Sequence, residues 1–216
     1  YGACPNHMDP PSFHVDFAEI DRVEISKGPF DVKNQGSLGG VVNILTRRPE
    51  PGLHATANAA AGAFGYLNPS VVGSWAGASF SALAGYSYRQ SQAFRDGSGR
   101  RFTERTNYRA DAVEGDAFRA GTAWGRVAFA PADGHTVSLS YTRQDTSRTY
   151  YPYLQMDAIT DDADRFGLSW EAKPSGALTA AKLSAYYTQV DHWMTDQYRT
   201  TSSTAPRGWS MGTDAF

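Results

Sequence analysis

Four stretches of this 216-residue chain alternate apolar and polar residues one by one, and that period restricts the fold more than any other feature. Phe80, Ala82, Ala84, Tyr86 and Tyr88 alternate with Ser79, Ser81, Gly85, Ser87 and Arg89, with Leu83 as the exception. Val137, Leu139 and Tyr141 alternate with Thr136, Ser138, Ser140 and Thr142. Phe166, Leu168 and Trp170 alternate with Arg165, Gly167, Ser169 and Glu171, and Leu183, Ala185 and Tyr187 with Lys182, Ser184, Tyr186 and Thr188. Side chains on a strand point to opposite faces in turn, whereas a helix repeats about every 3.6 residues, so these stretches are strands. From His54 onward the sequence predicts repeated amphipathic strands of about 9 to 13 residues, the length that crosses a bilayer at a tilt.

The connections are uneven. Ala76-Gly77, Pro131 to His135 and Lys173 to Gly176 read as short turns, whereas 92–117, 148–162 and 191–207 are long and polar. Short turns on one side and long loops on the other is the habit of outer-membrane barrels. Tyr150, Tyr151, Tyr153, Trp193 and Tyr198 fall near strand ends, where an interfacial aromatic girdle is expected. A soluble sandwich shares the alternation, but strand length and loop asymmetry favour the barrel. A count of about seven complete strands, with another begun at Gly208, also admits a small eight-stranded barrel. That count leaves residues 1–52 unexplained.

Composition closes several other routes. No run approaches the roughly 18 apolar residues of a membrane-crossing helix. A net charge of −2 gives no electrostatic case for nucleic acid, and a single cysteine excludes an intrachain disulfide framework. Nucleophile-elbow, phosphate-loop and zinc-protease motifs are missing, and Glu19 and Asp21 sit beside a strand where nothing in the sequence argues for a pocket, so the chain does not read as an enzyme. Its first residues, Tyr1 to Pro5, carry no leader signal, and Gly208 to Phe216 stops within a strand. The expectation is a segment of a longer protein. About seven or eight strands of a wide barrel leave both sheet edges unpaired, so the segment is not expected to be stable by itself.

Residues 1–20 are irregular, with Pro5, Pro10 and Pro11 spoiling a long helix. Asp21-Arg-Val-Glu-Ile-Ser-Lys-Gly-Pro29 is then followed by Gly36-Ser-Leu-Gly-Gly-Val-Val-Asn-Ile-Leu-Thr-Arg-Arg-Pro49. This order of strand, Gly-Pro turn, Gly-Gly and strand resembles the end of the plug domain of a TonB-dependent outer-membrane receptor. Phe30 to Gln35 departs from the pattern of many members, which carry a Leu-Tyr or similar pair before the glycine. The resemblance implies an all-β membrane barrel, a portion of a 22-stranded antiparallel barrel, with the C-terminal part of its α+β plug domain. It implies residues 1–52 as plug and 53–216 as the first seven to eight barrel strands, lodged in the lipid of a Gram-negative outer membrane. It also implies energy from a TonB-ExbB-ExbD complex, with the segment that contacts TonB lying outside this chain.

Two short motifs carry metal chemistry. Cys4-Pro-Asn-His-Met8 sets a thiol and a thioether four residues apart, on one face of a helical turn or a tight loop. His192-Trp-Met194 sets an imidazole and a thioether two apart, on one strand face. Lys182, Ser184, Tyr186 and Thr188 are the polar, inward set of that strand, and His192 and Met194 continue it. A thiolate, two thioethers and an imidazole form a soft donor set that selects Cu(I) over harder ions. A lone cysteine in an oxidising compartment also needs a reason to be there.

The paired motifs are similar to those of the copper-importing members of the receptor family. That resemblance implies Cys4 and Met8 as plug ligands, His192 and Met194 as barrel ligands, and copper, as Cu(I), for cargo. His7 and His14 are spare candidate ligands. Met156 and Met211 read as packing or lumen residues, with transient copper docking as the alternative. Asp161-Asp162-Ala-Asp164 lacks the calcium-loop spacing and reads as a solvated loop edge. Two other functions stay open on the residues: a receptor for an iron-siderophore or other organic ligand, and a small structural or adhesive barrel.

Overall fold

The computed structural model describes residues 11–28, 39–173, 180–202 and 208–215. Two short 3-10 turns, Pro11–His14 and Phe17–Glu19, lead into a hairpin of β1 (Ile20–Lys27) and β2 (Gly40–Thr46). Asp16 starts the second turn by accepting a hydrogen bond from the Ala18 N–H at 2.8 Å. Where β2 begins, Gly40 has φ of +136°, and a Cβ there would meet the Ser26 carbonyl oxygen. Only glycine fits that close crossing.

The chain then enters an eight-stranded sheet: β3 (Gly52–Gly62), β4 (Tyr66–Ala76), β5 (Phe80–Gln92), β6 (Asp116–Ala132), β7 (His135–Thr149), β8 (Asp157–Ala172), β9 (Ala181–Thr195) and β10 (Gly208–Ala215). Each strand pairs antiparallel with the next, so sequence order is spatial order. β3 and β10 stand at opposite ends and do not pair with each other, so the described sheet is an open wall and not a closed eight-stranded barrel. On one side the strands turn tightly at 77–79 and at Asp133-Gly134, where Gly134 takes φ of +75°. On the other side lie the long connections 93–115 and 150–156.

The wall is inside-out by the standard of a water-soluble protein. One face exposes Val71, Trp75, Phe80, Val127, Phe129, Leu139, Leu168 and Leu183. The other buries Ser87, Thr122, Ser138, Thr142, Gln144 and Thr188. An exposed apolar band of this extent asks for a non-aqueous neighbour. No helix among the described residues is long and apolar enough to cross a membrane, which says nothing of strands.

Two expectations are corrected here. Four strands run past the expected 9 to 13 residues: β6 has 17, β7 15, β8 16 and β9 15, whereas β3, β4 and β5, with 11, 11 and 13, keep to it. The parts of the polar stretches at 148–149, 157–162 and 191–195 belong to strands, because polar side chains on both faces hide the period without preventing the pairing. The aromatic girdle is also revised, since Tyr150 and Tyr151 are buried. Tyr108, Tyr150 and neighbouring Ala93, Ala112 and Ala117 form a core inside the long connections, with Phe102 and Tyr198 packed against it. The rings gain more from one another than from a rim position. Tyr153 and Trp193 do remain exposed.

Candidate functional site

The inner face is where the first described residues meet the wall. Ala18 packs on Val72, Leu83 and Trp124, which explains why Leu83 breaks the polar inner set of β5. Trp124 also lies over Gly85, where a Cβ would fall 2.3 Å from the ring. Around this small apolar patch the contacts are polar. Arg89 Nε stands 3.1 Å from Asp16 Oδ2, and its guanidinium lies over the Phe17 ring. Arg165 donates to Glu19 Oε2 at 2.8 Å, and the Thr142 hydroxyl to Glu19 Oε1 at 3.1 Å.

Nearer the long connections, His14 docks on the same face. Its Nδ1 is 3.5 Å from Gln144 Nε2, and its Nε2 is 3.9 Å from Asp161 Oδ1. Asp161 is the register partner of His192, and His192 Nδ1 lies 3.4 Å from the same Oδ1. His14, Asp161 and His192 are all buried. Asp161 is therefore not part of a solvated loop edge. It continues the inward set Glu171, Ser169, Gly167 and Arg165 along β8, whereas Asp162 and Asp164 face outward and pair with Arg143 at 2.9 and 2.6 Å.

His192 and Met194 emerge on the inner face of β9, 0% and 1% exposed. Met194 packs with Tyr151 and Ala158, and Met156 packs against that cluster. Met211 of β10 is the register partner of His192. Cys4, His7 and Met8 lie outside the described residues. Among those described, no three His, Cys, Asp or Glu side chains are arranged to hold a metal ion, so His192 and Met194 stand as half of the expected ligand set.

The rim above is held by a charge that the sequence did not flag. Arg199 is fully buried and donates through Nε and Nη2 to both oxygens of Asp157, at 2.8 and 2.6 Å. Nη2 also reaches the Tyr108 hydroxyl and the Tyr151 carbonyl, each at 2.9 Å, and Nη1 reaches Asn107. The Tyr108 hydroxyl donates to Asp157 at 2.8 Å, and burial together with that carboxylate pushes the phenol well above the ordinary tyrosine range. One guanidinium thus ties the 93–115, 150–156 and 196–202 connections into a rigid collar beside His192 and Met194. Nothing in the local sequence of Arg199, Asp157 and Tyr108 marks them as partners.

A cavity of about 590 Å³ lies on the outer apolar face along Trp75, Val127 and Leu139, away from this chemistry. A polar one of about 240 Å³ lies between Glu19 and the wall residues Trp124, Thr142 and Arg165.

No family model matches the chain. Among solved structures, the copper transporter OprC matches with a TM-score of 0.81 at 23% sequence identity, over 99% of this chain and 32% of that one. The chain therefore has the fold of part of that protein and spans about a third of its length.

Proposed function

We propose that this chain is the end of the plug and the first barrel strands of a TonB-dependent outer-membrane receptor that binds and imports copper. In this reading residues 1–52 belong to the plug and 53–216 to the barrel. Copper is held by Cys4 and Met8 from the plug and by His192 and Met194 from the wall, and the inner-membrane TonB-ExbB-ExbD complex supplies the energy.

One observation carries the reading. His192 and Met194 are buried side by side at the loop-side rim, and the chain six residues after Met8, at His14, docks on the residue directly across from His192. The likeness to a copper transporter's fold adds support. An imidazole and a thioether suit a soft ion, and a thiolate with a second thioether completes a Cu(I) set. Splitting the ligands between two bodies couples release to movement. The contacts holding residues 13–19 on the wall are mostly ion pairs and hydrogen bonds, which water can replace as the segment shifts. Moving the plug then parts the sulfur donors from His192 and frees the ion.

The test is metal content by mass spectrometry on the full-length receptor from copper-supplemented cells, beside a Cys4→Ala, His192→Ala double variant. About one copper per wild-type chain, lost in the variant, is the expected result, given the affinity of such a donor set. Equal copper in both proteins, or none in either, overturns the proposal and turns attention to uptake of iron chelates.

A further inference from the structure

Asp161 has no role in the ligand set just described, yet it occupies the most unusual environment on the inner face. It is fully buried, and neither carboxylate oxygen accepts a hydrogen bond from any described residue. A carboxylate removed from water without donors is strongly disfavoured unless positive charge or polarised N–H groups compensate it. Among the described residues the ion-pairing groups that approach it are two imidazoles. His192 Nδ1 stands at 3.4 Å and His14 Nε2 at 3.9 Å, both from Oδ1.

The register makes the first of these approaches a designed one. Asp161 and His192 are directly opposite on β8 and β9, so their side chains leave the same face of the sheet as a cross-strand pair. A histidine that binds a metal through one ring nitrogen commonly gives the other N–H to a carboxylate. The carboxylate fixes the tautomer and the ring orientation, and it raises the basicity of the ligating nitrogen. Carboxylate oxygen is itself a hard donor, poorly matched to Cu(I), so Asp161 suits the supporting position better than the coordinating one.

We infer that Asp161 is the positioning residue of the copper site: when copper binds, the 3.4 Å approach closes, the carboxylate takes the Nδ1–H of His192, and the Nε2 lone pair is left for the metal. This rests on the copper reading above. His14 reaches the same oxygen from the chain that precedes β1, so docking of residues 13–19 steadies the carboxylate. The second imidazole links the position of the plug segment to the readiness of the barrel ligand.

The experiment measures Cu(I) affinity of the full-length receptor by competition with a chromophoric chelator. It compares wild type, Asp161→Asn, His192→Ala and the double variant, with melting temperatures as a check on folding. Asp161→Asn is expected to weaken binding about 10- to 100-fold and to have no further effect once His192 is alanine. Asp161→Glu, which keeps the carboxylate, is expected to recover part of the loss, and it serves as the readout if the Asn variant fails to assemble. If Asp161→Asn binds copper as tightly as wild type, or weakens it equally with and without His192, the inference is wrong while the copper reading stands. A wild-type receptor that binds no copper overturns both.

Discussion

Toward the short turns, β7, β8 and β9 carry Val137, Leu139, Leu168, Trp170 and Leu183 outward and Ser138, Ser140 and Ser169 inward. Toward the long connections the same strands carry Arg143, Asp145, Asp162, Asp164 and Asp191 outward and Gln144, Asp161 and His192 inward. The backbone is the same continuous ladder, so hydrogen bonding cannot account for the change. What changes is the chemistry of the outer side. An apolar band followed by a charged one, on one face of one set of strands, is the pattern that the proposed membrane setting predicts where hydrocarbon gives way to water. The change on the inner side has another cause. Near the turns the inner residues are serines with solvent-exposed ions such as Glu171 and Lys182, whereas near the loops Gln144, Asp161 and His192 are large and fully buried. Chemistry that requires a dry, ordered cluster of polar groups is confined to the rim.

The sharpest way to break this comparison is to remove the charge that holds the rim together. Arg199→Met leaves Asp157 buried without its cation, a change that costs about 3–5 kcal/mol in known buried pairs. The expected result for the full-length protein is a loop region that opens while the wall stays folded. Limited proteolysis should cut within 93–115 in the variant and not in the wild type. A variant as resistant as wild type would show that the aromatic core of Tyr108, Tyr150 and Tyr198 suffices without the charge.

A smaller effect is expected at the outer face of the turn-side half. Leu168→Arg puts a cation in the middle of the apolar band and should cost about 2–4 kcal/mol when the receptor folds into phospholipid vesicles. Gln189→Arg, on the outward charged part of β9, should cost close to nothing in the same urea titration. Equal costs at the two positions would remove the boundary between the two halves.

The unequal legibility of the halves follows from the same physics. The strands of the turn-side half could be read residue by residue, because an apolar outer face and a polar inner face impose a period of two. Leu83 is the exception among the four alternating stretches, and its contact with Ala18, beside Val72 and Trp124, lies beyond any local pattern. Past Tyr141, Phe166 and Tyr187 charged residues take over much of the outer face while Val190 and Met194 turn inward, so the period disappears and strand passes for loop. His192 and Met194 were legible because they extend the parity of Lys182, Ser184, Tyr186 and Thr188. The same counting applied to β8, from Glu171 back through Arg165, would have placed Asp161 inward; its two aspartate neighbours disguised it as a solvated run. Arg199, Asp157 and Tyr108 meet only through the fold, Arg199 standing 42 and 91 positions along the chain from its two partners.

Arg143 offers the mildest test, and it addresses the boundary most directly. It faces outward just beyond the apolar band and pairs with Asp145, Asp162 and Asp164 at 2.5, 2.9 and 2.6 Å, while the Tyr141 hydroxyl donates to Asp164. By ligand count this cluster outranks the single carboxylate of Arg199. Its guanidinium is a third exposed, however, whereas that of Arg199 is fully buried. In water such pairs contribute about 0–1 kcal/mol, because solvent screens the attraction and long side chains lose freedom when fixed. Arg143→Ala should therefore change the urea midpoint slightly at physiological salt. The change should grow as salt is lowered, when the three carboxylates left facing one another are less screened. A cost as large as that of Arg199→Met, insensitive to salt, would mean that Arg143 lies in a dry environment, and the apolar medium would have to extend past Tyr141 toward the rim.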